Sequence, residues 1–266
     1  MKKNIVTASL ILSTLSMNAI AQTQVPNNVA VNKLSEDQIR QLTISSVDIK
    51  ELPANYATQK NMLSSTIGFY GEQAQQTQIN DGIGLGAASV GEVFAPIQET
   101  LDQVDVIVDK VVNIGAKVWK VVDKGRPVAS YSLAKANALP ENITNWQQLE
   151  NWKEPTSKIY QIEYKNGFNM VVARLVYRVV LVHGGSIKGI GKYIGLATIE
   201  PIEMRTAFGF TFNASVTVDY VYNMNKSADP LAGMTLSLKW VNSTIVQKIE
   251  GSHRFHLDGN GVIKPL

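Results

Sequence analysis

The side chains of this sequence that could do chemistry are few, and their spacing works against most of the reactions they could join. There are three histidines and no cysteine in 266 residues, which removes thiol nucleophiles and thiolate zinc sites. His253 and His256 stand an odd number of positions apart in an alternating segment, so they leave a strand on opposite faces and do not readily share a metal. His183 opens the stretch His183-Gly184-Gly185-Ser186, which reads as a turn. A hydrolytic triad gathered from distant residues is compatible with this set, but no G-x-S-x-G elbow supports one. Residues 185–192 carry the glycines and lysines of a phosphate cradle, yet Ser186 and Tyr193 occupy the positions where it needs Gly and Ser or Thr. That stretch reads instead as a hairpin loop with solvent-facing Lys188 and Lys192. Asp258-Gly259-Asn260-Gly261 and residues 223–229 place oxygens at alternate positions, as calcium loops do, but lack the closing Glu and read as turns. No metal and no cofactor is expected, and a catalytic role is disfavoured.

Ser132-Leu133-Ala134-Lys135 resembles the S-x-x-K nucleophile motif of penicillin-binding proteins and serine β-lactamases. The resemblance covers four residues: no S-D-N or K-T-G follows, and those folds are α/β, so the motif reads as part of a connector. Binding chemistry has better material. Trp146 and Trp152 lie among Asn142, Asn145, Gln147, Gln148 and Asn151, a mixture of flat apolar rings and amides that suits a sugar or peptide platform. The alternative is that both rings plug the seam between helix and sheet. Arg174 and Arg178 share one face of a strand and either bind anionic groups or pair with nearby acids.

The elements that must position these residues follow from periodicity. Residues 157–266 alternate apolar and polar with period two, strand after strand with turn residues between, which predicts an antiparallel β-sandwich-like domain of six to seven long strands. In one strand Phe208, Phe210, Phe212, Ala214, Val216, Val218, Tyr220 and Tyr222 point one way, with Val221 as an exception on the other face. Residues 91–127 repeat Val and Ile at heptad positions a, d and e, among them Val104, Val111, Val118, Ile107, Ile114 and Val121, which predicts one long amphipathic helix packed on the sheet. The fold class is thus mainly β with an N-terminal helical element. Residues 128–156 read as a connector. Residues 22–90, rich in Gln, Asn, Ser, Thr and Gly, read as a partly flexible arm, with a short helix started by the capping box Ser35-Glu36-Asp37-Gln38.

Lys2 and Lys3, an apolar run over residues 5–15 and the small-residue pattern Ala19-Ile20-Ala21 have the form of a secretory signal peptide, residues 1–21. The formal charge of +3 falls to about +1 when those two lysines leave, too little to steer binding to nucleic acid. The expectation is an exported bacterial protein, periplasmic or secreted, acting as a non-catalytic binding or assembly module. Its partner would be an envelope protein or glycan. Peripheral membrane contact through the helix and the long hairpins, or a hydrolase with a dispersed site, are the rival expectations. The oligomeric state is not legible.

Overall fold

A computed structural model describes residues 34–56, 107–128 and 135–266. The expected signal peptide, most of the polar arm, the expected helix up to residue 106 and Ser132 lie outside the described residues. The described chain is mainly β, with a single short α-helix, α1 (Glu36–Leu42), which begins with the expected capping box: Ser35 accepts from the Gln38 amide and Gln38 reaches back to the Ser35 amide. The strands are β1 (Ile44–Leu52), β2 (Ile107–Val112), β3 (Val118–Asp123), β4 (Arg126–Pro127), β5 (Ala136–Glu141), β6 (Thr156–Asn166), β7 (Val171–Ile187), β8 (Ile190–Thr206), β9 (Thr211–Asn223), β10 (Ala232–Ser243), β11 (Lys248–Asp258) and β12 (Ile263–Pro265). They form two curled antiparallel six-stranded sheets, ordered β1-β6-β7-β8-β5-β2 and β12-β11-β10-β9-β3-β4. Alternation supplies the core between them: Tyr160, Ile162 and Tyr164 of β6 and Leu175, Tyr177 and Val179 of β7 are buried. From the other sheet Phe212, Leu238 and Phe255 are buried too, and rings meet across the gap, Tyr164 with Phe212 at 6.3 Å and Tyr177 with Phe255 at 6.3 Å.

The expected helix over residues 91–127 is corrected wherever the chain is described. Residues 107–128 carry β2, β3 and β4, and no helix. The heptad-like spacing comes from two strands, an intervening turn and a bulge. Asn113 makes the turn by accepting from the Gly115 and Asn137 amides, each at 3.0 Å. Gly115 then passes so close to Lys135 that a Cβ would lie 2.2 Å from its carbonyl oxygen. The register of β3 on β9 shifts between Lys120 and Val122, so that Val121 and Val122 are both buried although adjacent. β-branched Val and Ile, poor helix formers, take the extended state once a neighbouring strand is there to pair with.

Two further expectations change. The connector 128–156 contains β5, laid between β8 and β2, whose small residues Ala136 and Ala138 fit with no exposed surface. The arm 22–90 supplies β1, which pairs with β6 along its whole length. His183-Gly184-Gly185-Ser186 is no turn but part of β7, and the chain reverses at Lys188 and Gly189, both at positive φ. The Val221 exception has a cause. β9 carries an extra residue at Asp219, because Val218 faces Leu236 while Tyr220 faces Thr235. Beyond it the faces exchange: Val221 packs on the core, and Tyr220 and Tyr222 are exposed.

Candidate functional site

The hairpins leave the two sheets at opposite ends, and each end gathers a different set of side chains. At one end the chain after β5 forms a 3-10 turn, Trp146–Gln148, because Asn145 accepts from the Gln147 amide at 3.0 Å and Gln148 reaches back to the Asn145 amide at 3.0 Å. The following residues add a short antiparallel bridge to β7, with Glu150 bonded to Ser186 in both directions and the Lys153 amide donating to His183 O at 3.0 Å. This lays the Trp152 ring directly on Gly185 and Gly195, where a Cβ would come within 2.3 Å and 2.8 Å of it. Its indole N–H donates to Leu149 O at 3.1 Å, and Trp146 meets it edge-on at 5.4 Å. The two tryptophans are therefore brought together, half-buried against the core. Their surrounding amides are already engaged: Asn145 and Gln148 in capping, Asn151 with Ser186 Oγ at 2.9 Å. The seam they fill lies between connector and sheet.

Arg174 and Arg178 lie on the face of β7 turned away from the other sheet, with Arg174 opposite Glu163 and Arg178 opposite Glu200. Arg174 Nε donates to Gln161 Oε1 at 2.9 Å, and the Glu163 carboxylate stands 4.0 Å off. Arg178 reaches Glu200 at 3.4 Å, and Arg205 reaches Glu203 at 2.7 Å. Tyr56 donates to the same Glu203 at 3.3 Å; burial first, and then that carboxylate, push its hydroxyl above the ordinary tyrosine range. This is a ladder of paired charges. At about 3.3 Å per residue, Arg178 and the Trp152-bearing Gly185 are roughly 23 Å apart along β7, so tryptophans and arginines do not share a site.

Between the sheets Tyr177 Oη and His253 Nδ1 approach to 2.5 Å, with Tyr160 and Phe255 packed around the imidazole at 5.2 Å and 4.4 Å. Burial pulls His253 down to about 4 and pushes Tyr177 well up. Both are neutral at neutral pH, and the pair is a hydrogen bond inside an aromatic cluster. His256 leaves on the opposite face, as its spacing requires, and meets Tyr222 at 3.2 Å. Among the described residues no three His, Asp or Glu side chains are grouped to hold a metal ion. Asp258 bonds the Asn260 and Val262 amides and so closes the expected turn.

The other end holds what sequence reasoning missed. The tips of the β3–β4, β6–β7 and β10–β11 hairpins emerge there together with the β8–β9 connection that passes from one sheet to the other, and α1 lies across three of these four turns. Arg40 and Gly167 exchange hydrogen bonds at 2.9 Å and 3.1 Å, Leu42 packs at Gly209, and Thr244 donates to Leu42 O at 3.0 Å. The Ala207 amide bonds Val172 O at 2.8 Å, and the Gly125 amide bonds Phe212 O at 2.7 Å. On this braced end Phe208 is fully exposed, while Phe168, Met170, Val171, Ile245 and Ile39 are all substantially exposed. Phe208 was expected to point inward with Phe210. Gly209 at φ +86° turns the chain before β9 begins and leaves Phe208 on the tip. The Phe-Gly pair after a long alternating run was the available signal. No protein-family model, no curated protein and no solved structure matches this chain, so a reading of its function rests on this geometry.

Proposed function

We propose that this chain is an exported, non-catalytic binding module of a bacterial envelope, a β-sandwich-like domain that attaches end-on through its α1-braced hairpin tips. Export rests on Lys2, Lys3, the apolar run over residues 5–15 and Ala19-Ile20-Ala21. The observation that carries the attachment is Phe208, fully exposed beside other exposed apolar side chains on neighbouring tips. Single apolar residues on a surface are ordinary, whereas a group of them marks a contact surface. The core does not need these residues, because the space between the sheets is already filled by Tyr160, Leu175, Tyr177, Phe212 and Phe255. The tryptophan pair belongs to the frame in this reading, since Gly185 and Gly195 seat it and its amides are engaged.

The test is binding of the purified protein to isolated bacterial envelopes. Phe208→Asp should abolish binding and leave the melting temperature unchanged, because that ring is fully exposed. Unaltered binding by that variant, or loss of binding on replacing Trp146 and Trp152 in a protein that still melts cooperatively above the assay temperature, would overturn the end-on reading.

A further inference from the structure

We infer that the partner of the hairpin-tip cluster is an anionic lipid surface, an inference that rests on the end-on reading and names what that end touches. Shape is the first argument. The exposed apolar side chains are distributed over separate turns, Phe168, Met170 and Val171 at the β6–β7 hairpin, Ile245 at the β10–β11 hairpin and Phe208 on the β8–β9 connection between the sheets. Side chains carried on projecting tips can enter an acyl boundary one by one, whereas a protein partner would have to fold around each of them. α1 fixes the tips relative to one another through Arg40, Leu42 and Gly167, so little ordering is needed on contact.

Charge is the second argument. Arg40, Lys124 and Arg126 are exposed at this end and Lys165 is half-buried beside them, with the Arg40 guanidinium 4.7 Å over the Phe168 ring. The acids of the strand ends here are each matched by a cation, Asp123 by Lys120 at 3.6 Å, Glu203 by Arg205 at 2.7 Å and Glu250 by Lys248 at 2.5 Å, and Glu36 and Asp37 lie in the first turn of α1. Cations ringing apolar tips are the arrangement that adds headgroup attraction to burial of apolar surface. The opposite end also exposes apolar side chains, Ile190, Met224 and Val262, but its charges are balanced. Its loops mix Lys153, Lys188, Lys192 and Lys226 with Glu150, Glu154, Asp229 and Asp258, and the Gly191 amide and Lys192 ammonium are bonded to Asp229 and Asn260.

The absence of cysteine allows a clean test. Phe208→Cys and, at the opposite end, Ile190→Cys are each labelled with a polarity-sensitive fluorophore, after checking that both melt like the wild type. Each is mixed with vesicles of phosphatidylcholine alone and of phosphatidylcholine with phosphatidylglycerol. The expected result is a blue shift at position 208 only, with the anionic vesicles only, reversed by salt. Lys124→Glu and Arg126→Glu should each weaken vesicle binding about fivefold or more. A shift at neither position, equal shifts at both, or equal shifts with neutral and anionic vesicles overturns the inference. If the protein ignores vesicles yet binds envelopes through Phe208, the lipid inference fails and the end-on reading stands with a protein or glycan partner.

Discussion

His253 makes the fold lose stability as pH falls, in a window set by its burial. Its imidazole sits among Tyr160, Tyr177 and Phe255, accepts or donates one hydrogen bond at Nδ1, and is pulled down to about 4 by desolvation. The unfolded chain holds the same group near 6.5. Above 6.5 neither state binds the proton and stability is full. Between 6.5 and 4 only the unfolded state binds it, so stability is lost as pH falls, at about 1.4 kcal/mol per pH unit. The total is about 3 kcal/mol, or roughly 6–12 °C in melting temperature for a domain of this size. The assay is urea unfolding followed by circular dichroism from pH 7.5 down to 4, on the wild type and on His253→Phe. The variant leaves Tyr177 without its partner, a cost of about 1–3 kcal/mol that does not depend on pH, so the slope and not the absolute stability is compared. Carboxylates and His183, whose pKa burial also lowers, titrate in both proteins and cancel. Equal slopes in the two proteins would refute the reasoning, because they would mean that His253 is protonated as readily in the folded state as in the unfolded one.

Gly185→Ala drives a methyl group into the Trp152 ring and should cost about 1–3 kcal/mol; the same change in a Trp152→Ala background should cost clearly less, as a double-mutant cycle by thermal melting will show. Arg174→Leu removes the donor to Gln161, which is 1% exposed, and should cost about 1–3 kcal/mol, while Arg178→Leu, whose ion pair is long and a third exposed, should stay within about 1 kcal/mol. Ser35→Ala breaks the capping box at about 1 kcal/mol, and amide exchange should show it as faster exchange at Ile39 with the sheets unaffected.

Where one face of a strand is buried and the register unbroken, alternation revealed the strand. The first half of β9 was legible for that reason, and so was the opposite orientation of His253 and His256; β7 and β10, buried on both faces, were legible because Arg174, Arg178, Thr235, Ser237 and Lys239 still alternate with apolar residues. Bulges removed legibility. The extra residue at Asp219 exchanges the faces of β9, and the one at Val121 puts two adjacent valines in the core, which no fixed period describes. Joined to the turn at Asn113, that irregularity produced a pattern close to 3.5 residues and with it the expectation of a helix. β5 was illegible because Ala136, Asn137, Ala138 and Leu139 are buried on both faces and so do not alternate. Of the candidate site residues, the pairing of Arg174 and Arg178 with acids was one of the two readings on offer. The seating of Trp152 on Gly185 and Gly195 depends on residues over thirty positions away in the chain. Phe208 escaped because its spacing from Phe210 continues the strand pattern through a turn that only Gly209 announces.

The attachment surface is tested most directly by amide hydrogen exchange on the protein bound to isolated bacterial envelopes and on the free protein. Residues 166–171, 206–210 and 243–247 should gain protection on binding, while residues 146–153 and 183–195 at the opposite end should not change. Protection confined to the tryptophan-bearing end, with the hairpin tips exchanging as fast as in the free protein, would contradict end-on attachment.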